Sequence, residues 1–269
     1  MIITNRSLFQ AHPFHLVLPS PWPVMSSISL LNLAYSGTLA IQTFTIIISI
    51  LLFSFTSLLN TMLYWFKDIT TESTYLGNHT LAVQRGLFIG IALFIISETL
   101  FFIGIFWTYF HSSLSPTVEL GIQWPPAGIQ AIDPFEFPLL NTTILLSSGI
   151  SITYAHHSII HGNRFYYLKG LLLTVVLAIF FTVLQAVEYL ASAFTISDGI
   201  FGSCFFFGTG FHGFHVIIGS IFLLFGLWRG LLYHFTQTHH LGLESSIMYW
   251  HFVDIVWIFL YISVYYWGS

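Results

Sequence analysis

Long runs without a charged residue alternate with short polar segments along this chain, and that alternation predicts membrane-spanning helices. From Val24 to Trp65 there is no Asp, Glu, Lys or Arg. About 20 apolar residues span the hydrocarbon layer, so this run exceeds one crossing. It predicts a hairpin of two helices turning near Gln42. Lys67 and Asp68 end it, and a polar loop is expected over Ile69–Gln84. A third span is predicted over Gly86–Phe110, closing at His111–Ser115. The next loop, Pro116–Pro138, is rich in Pro and Gly, and its WPPAG (Trp124–Gly128) is excluded from a helix because proline lacks the amide donor. Four more spans are predicted over Leu139–His157, Leu168–Ala193, Ile200–Leu232 and Ile247–Trp267. Turns separate them at Gly162-Asn163-Arg164 and at FTISDG, where Asp198 stands in a helix N-cap position. The sixth span is rich in glycine and holds a GxxxG, Gly226 and Gly230. Small residues let membrane helices approach closely, so this helix is expected to be central in its bundle. The seventh ends in Tyr265, Tyr266 and Trp267, suited to the membrane interface.

Charge supports the count. Seven spans put the termini on opposite sides. All six basic residues then share one side: Arg6, Lys67, Arg85, Arg164, Lys169 and Arg229. Glu119, Asp133, Glu136 and Asp198 fall on the other. Lys and Arg concentrate on the untranslocated side, which gives an inside N-terminus. Composition agrees. Of 269 residues 56% are hydrophobic and 6% charged, against about 25% charged in soluble domains. The chain is read as an all-α integral membrane bundle with little left over for a soluble domain. Its formal charge of −4 and lack of a basic patch give nucleic acid no footing. The single cysteine, Cys204, excludes an internal disulfide and any metal site needing two thiolates. The N-terminal segment has neither the apolar core of a signal peptide nor the arginines of a transit peptide, so the chain is expected to be inserted uncleaved.

Within the third span lies one ionisable residue, Glu98. It stands roughly 20 Å along the helix from Arg85, near the middle of the hydrocarbon layer. A bare carboxylate there is very costly, so Glu98 is expected to be protonated. Its helical neighbours Phe94, Phe101 and Phe102 offer no counter-charge. A neutral carboxyl bonded to another helix is one reading; a functional intramembrane acid is the other. Glu188 and Asp254 are also intramembrane acids. A transporter would use such groups, but no inverted repeat accompanies them. The 13 histidines cluster as HHSIIH (His156, His157, His161), HGFH (His212, His215) and HFTQTHH (His234, His239, His240). A membrane di-iron enzyme would need its boxes on one face. His212 sits deep within a span and no HxxHH occurs, so hydrogen-bonding histidines are preferred to metal ligands. The stretch Trp65–Thr74, with His79 and Arg85, is either a solvated loop or a site for an anionic headgroup beside an interfacial Trp; Arg229, on the same side, could join it. His251 and Asp254 lie at i, i+3 and are expected to form a structural pair.

Taken together, PSPWP (Pro19–Pro23), HTLAVQRG (His79–Gly86), LFIISETLFF (Leu93–Phe102), PLLNT (Pro138–Thr142), FTISDG (Phe194–Gly199), GTGFHGFHVIIG (Gly208–Gly219) and YWHFVDIVWIFLYISVYYWGS (Tyr249–Ser269) closely resemble the subunit III family of mitochondrial cytochrome c oxidase. The resemblance covers nearly the whole chain. It implies seven transmembrane helices, a two-helix unit over residues 1–70 and a five-helix unit over 71–269, separated by a lipid-holding cleft. It implies a non-catalytic core subunit of respiratory complex IV that packs on subunit 1, stabilises it and supports matrix-side proton uptake while electrons pass from cytochrome c to oxygen. Catalytic residues and metal ligands are expected to be absent from this chain; haem a and copper are expected in partner subunits. Partners implied are subunits 1 and 2, accessory subunits and membrane phospholipids, with membership of a respiratory supercomplex left open. The implied location is the mitochondrial inner membrane, N-terminus in the matrix and C-terminus in the intermembrane space. Residue by residue, the resemblance makes Glu98 the intramembrane acid, assigns Trp65, Phe66, Glu72, His79 and Arg229 to phospholipid sites, and puts His12 and His15 where they would buffer protons. Animal members read Arg-Glu-Ser where this chain has Thr71-Glu72-Ser73, which removes one arginine from the headgroup set.

Overall fold

An uncharged backbone in hydrocarbon must satisfy its own N–H and C=O groups, and the helix does so within one segment. The computed structural model describes residues 12–42 and 46–269, and among these the chain is helical without a strand. Its α-helices are α1 (Trp22–Gln42), α2 (Ile46–Thr74), α3 (Leu81–Leu114), α4 (Phe137–Ile160), α5 (Arg164–Ala191), α6 (Gly199–Leu231) and α7 (Leu241–Leu260). A 3-10 turn, Val118–Leu120, lies in the loop before α4, and a π-helical turn, Tyr261–Tyr266, continues α7. Six helices are long and apolar enough to cross a membrane: α1, α2, α3, α5, α6 and α7 with its π turn. α4 is long enough at 24 residues but carries many Ser, Thr and Asn side chains. Arg6 and the turn between α1 and α2 lie outside the described residues.

The polar loop expected over residues 69–84 is shorter than the charges suggest. α2 runs on past Lys67 and Asp68 to Thr74, and α3 already begins at Leu81. The hydroxyls of the extension turn back onto the helix. Thr70 Oγ1 donates to the Phe66 carbonyl at 2.8 Å and Thr71 Oγ1 to that of Lys67 at 2.9 Å. A charged residue ends the hydrocarbon segment; it does not end the helix.

The chain groups into two units, Met1–Leu87 and Phe88–Ser269. In the first, α1 and α2 pair closely. Ser29 and Ser57 meet hydroxyl to hydroxyl at 3.0 Å, and at the open end the Trp22 ring stacks on Tyr64 while its Nε1–H donates to Asp68 Oδ2 at 2.6 Å.

In the second unit small residues set the close approaches. Gly170 of α5 lies against the Ser151 carbonyl and Ala155 of α4, where a Cβ would come to 3.0 Å. Ser151 and Thr174 bridge the same pair of helices at 2.7 Å. The GxxxG of α6 receives a side chain rather than a bare backbone. A Cβ on Gly230 would meet the Tyr167 ring at 2.6 Å, and the Tyr167 hydroxyl donates to the Gly226 carbonyl at 2.9 Å. Gly219 on the same helix seats Trp250 of α7. α6 thus packs on both α5 and α7, as its glycines predict. α3 joins through large buried side chains, Phe102, Ile105 and Tyr109. Asp198 takes the N-cap position of α6, but its carboxylate turns back to the Thr195 N–H at 2.6 Å and closes the FTISDG turn instead of capping the helix. Arg164 provides the other end: its Nη2 donates to the Leu231 carbonyl at 3.0 Å, a cation at a helix C-terminus where the dipole is negative.

Candidate functional site

Glu98 finds its partner on α6. Its Oε2 lies 2.9 Å from Nε2 of His215, and the two side chains are 25% and 8% exposed. His215 Nδ1 donates to the Phe211 carbonyl at 2.6 Å, one turn back on its own helix. That bond fixes the tautomer of the neutral ring and leaves Nε2 with a lone pair. The carboxyl and the imidazole therefore share one proton. With the proton on Glu98 both groups are neutral; with it on His215 they form an ion pair. The pair carries no net charge in either arrangement, which is what a hydrocarbon setting requires. Aromatic rings enclose it: Phe102 meets His215 edge-on at 5.1 Å, and Tyr249 stacks on His215 at 6.3 Å and on Phe94 at 6.3 Å. A groove of about 550 Å³ opens beside the pair, lined by both groups with Phe101, Phe214 and Ile218.

Glu188 sits in a second buried polar network that the sequence did not reveal. Tyr265 Oη donates to Glu188 Oε1 at 2.6 Å, Gln185 Nε2 donates to the same oxygen at 3.2 Å, and Asn141 Nδ2 donates to Gln185 Oε1 at 3.3 Å. Tyr265, expected at the interface, is fully buried; Tyr266 and Trp267 stay exposed. The hydrogen-bond demand of Glu188 pulls that ring inward. Trp250 and Trp257 donate to Ser148 at 2.9 Å and Thr142 at 3.0 Å. The polar face of α4 is thereby consumed inside the bundle. His251 Nδ1 lies 3.6 Å from Asp254 Oδ2, and its Nε2 reaches Thr153 of α4 at 3.3 Å, the structural pair that i, i+3 spacing predicts.

The first unit gathers three of the remaining candidates. His15 Nε2 lies 3.2 Å from Glu72 Oε2, and its ring is 6.0 Å from that of His79. Thr80 Oγ1 donates to the Pro13 carbonyl, so the segment before α1 is tied to the turn before α3. His12 accepts from the Phe14 N–H at 3.3 Å and is not drawn into this cluster. Trp65 is half-buried on α2, and Phe66 is exposed.

Arg229 belongs to the second unit. Its guanidinium lies over the Phe235 ring at 4.6 Å and packs under Gly242, where a Cβ would meet Nη1 at 2.7 Å. Burial, and after it the charge of Arg229, holds the His234 imidazole in the neighbouring loop below its ordinary range.

The chain matches the family model for cytochrome c oxidase subunit III over residues 12–269. It is 62% identical over 264 residues to cytochrome c oxidase subunit 3 of Podospora anserina, with 98% of each chain covered. Identity to that of Trichophyton rubrum is 60% over 268 residues, covering 100% of each. To that of Yarrowia lipolytica it is 54% over 261 residues, covering 97% of each. With nearly the whole chain matched at these identities, the chain belongs to the cytochrome c oxidase subunit III family.

Proposed function

We propose that this chain is a non-catalytic core subunit of mitochondrial cytochrome c oxidase. It stabilises the catalytic subunit, holds phospholipid beside it and supports proton uptake from the matrix, while haem a and copper reside in partner subunits. The observation that carries this reading is the fate of the intramembrane polar groups in the second unit. Glu98, Glu188, His251 and Asp254 are each engaged by a neighbouring side chain, within rigid helix packing. Such side chains stabilise a bundle and hold protons. α4 is the seventh crossing in this reading. Its Asn141 and Ser148 are fully buried and Thr142 nearly so, which takes polar side chains out of the membrane and lets a helix of modest hydropathy cross. Seven crossings put the N-terminus in the matrix and the C-terminus in the intermembrane space.

An apolar groove of about 1360 Å³ along α3 and α7, walled by Phe106, Trp107, Ile255, Phe259 and Trp267, supports acyl-chain binding. In the first unit His15, Glu72 and His79 support a headgroup site at the matrix surface, to which Trp65 and Phe66 are assigned as well; in the second unit Arg229 is taken as a cation for an anionic lipid. His15 and His12 are the groups assigned to proton buffering there. Native mass spectrometry of the assembled complex tests the lipid reading. Arg229→Ala is expected to lose bound anionic lipid, while unchanged occupancy would overturn that assignment.

A further inference from the structure

The histidine groups that chain order keeps apart are partly reunited by the fold. His156 stands in the last turns of α4. His240 immediately precedes α7, and Glu244 lies in its first turn. Each offers a ligand atom, and the three atoms lie within 4.8 Å of one another. The His156 and His240 rings meet edge to face with centroids 5.8 Å apart. His240 Nδ1 donates to the Thr236 carbonyl at 2.9 Å, so the lone pair of the neutral ring is on Nε2. That Nε2 faces Glu244 Oε1 at 3.3 Å yet makes no hydrogen bond of acceptable geometry; it is buried without a hydrogen-bond partner, and so is Nε2 of His156. An unpaired buried polar atom is costly, and two side by side call for a common partner.

The geometry points to a divalent metal site of the zinc class, formed by His156, His240 and Glu244. Two imidazoles and one carboxylate are a zinc ligand set, with the fourth position left to water. Oxygen-seeking Mg²⁺ and Ca²⁺ do not select imidazole. Zinc bonds of about 2.0–2.1 Å place tetrahedral ligands ~3.3 Å apart, so side-chain rotation closing the present gaps by about an ångström completes the shell. The Thr236 carbonyl is the outer partner that orients a metal-bound histidine. His240 is 5% exposed and Glu244 35%, which buries one ligand and leaves another open to solvent as an entry path. The ion would clip the end of α4 to the start of α7 and fix the loop between α6 and α7. It is no redox centre, and it does not depend on the role proposed above.

The test uses the full chain, isolated with the subunits that accompany it, equilibrated in a chelator-buffered Zn²⁺ solution and desalted. Zinc is counted per chain by mass spectrometry. Wild type is expected to carry one zinc more than His240→Ala. Glu244→Gln removes a direct ligand and is expected to bind that zinc more weakly by at least the roughly 10–100-fold that loss of an outer partner costs, and His239→Ala to retain it. Zinc binding should also slow amide exchange over residues 232–240 in wild type and His239→Ala, and not in His240→Ala. Should His240→Ala fail to assemble, Glu244→Gln decides, because its side chain reaches solvent. Equal zinc content in wild type and Glu244→Gln across the titration would overturn the site.

Discussion

Gly219→Ala is the sharpest probe of how α6 is held. A Cβ at position 219 would lie 2.9 Å from Trp250 Cε3, 3.1 Å from Cζ3 and 3.3 Å from Tyr249 Cε1. The indole is fully buried, and its Nε1–H is bonded to Ser148 Oγ at 2.9 Å, so it has no free direction in which to yield. Overpacking costs about 1–3 kcal/mol. Pushing the indole off Ser148 leaves a buried donor unpaired, at a further cost of about 1–3 kcal/mol. Alanine recovers about 1 kcal/mol in helix propensity. The net expectation is destabilisation by about 3 kcal/mol. Gly213→Ala supplies the matched control: same helix, same change, and no atom within 4 Å of the added Cβ. It should stabilise by about 1 kcal/mol. The two variants therefore differ by about 4 kcal/mol, roughly 1000-fold in the folded-to-unfolded ratio. Unfolding of the purified full chain by increasing detergent mole fraction, followed by tryptophan circular dichroism, measures both. Equal midpoints for the two variants would refute the packing described for Trp250.

Other perturbations address other parts of the molecule. Glu98→Gln keeps a donor facing His215 Nε2 and leaves the site without net charge, so haem reduction in the complex should stay within about two-fold of wild type; a complete loss would mean that electron transfer runs through the acid. Tyr265→Phe removes the 2.6 Å bond to Glu188 inside the bundle and should destabilise the chain by about 2 kcal/mol, a loss that a neutral unfolding titration would disprove. The His234 ring is held neutral by burial and by Arg229, so its contribution is complete above the ordinary value of 6.5 and fades as the pH falls below it. Amide exchange over residues 232–238, corrected for intrinsic rates, should rise in mild acid in wild type and not in His234→Gln; an identical rise in both would remove His234 from the explanation.

How much of this was legible beforehand depends on the kind of fact. Helix positions follow from uncharged runs, because hydrocarbon forces the backbone to close on itself. Glu98 stands out for the same reason. Its partner does not: His215 is 117 residues away, and a sequence pattern gives the period of a helix but not which helix faces it. The same gap hid Tyr265 from Glu188 and His156 from His240. Gly226 and Gly230 announced a close approach, yet only the structure supplies Tyr167 as the group that fills it. Lys67 and Asp68 mark where the apolar run stops, but α2 continues to Thr74, because the helix closes its own backbone bonds whether its side chains are apolar or charged. α4 is the converse case. Its serines dilute the hydropathy of a segment in which Ser148, Ser151 and Ser158 are buried.

The central claim is that this chain serves the oxidase without holding a redox centre. Affinity purification of the tagged chain in mild detergent, followed by separation from its partners, tests it through haem spectra and metal analysis at each stage. The account predicts that a-type haem and copper co-purify with the chain and then stay with the partners, leaving the isolated chain free of iron and copper. Iron retained on the isolated chain would contradict it and make the histidine clusters ligands of a redox centre.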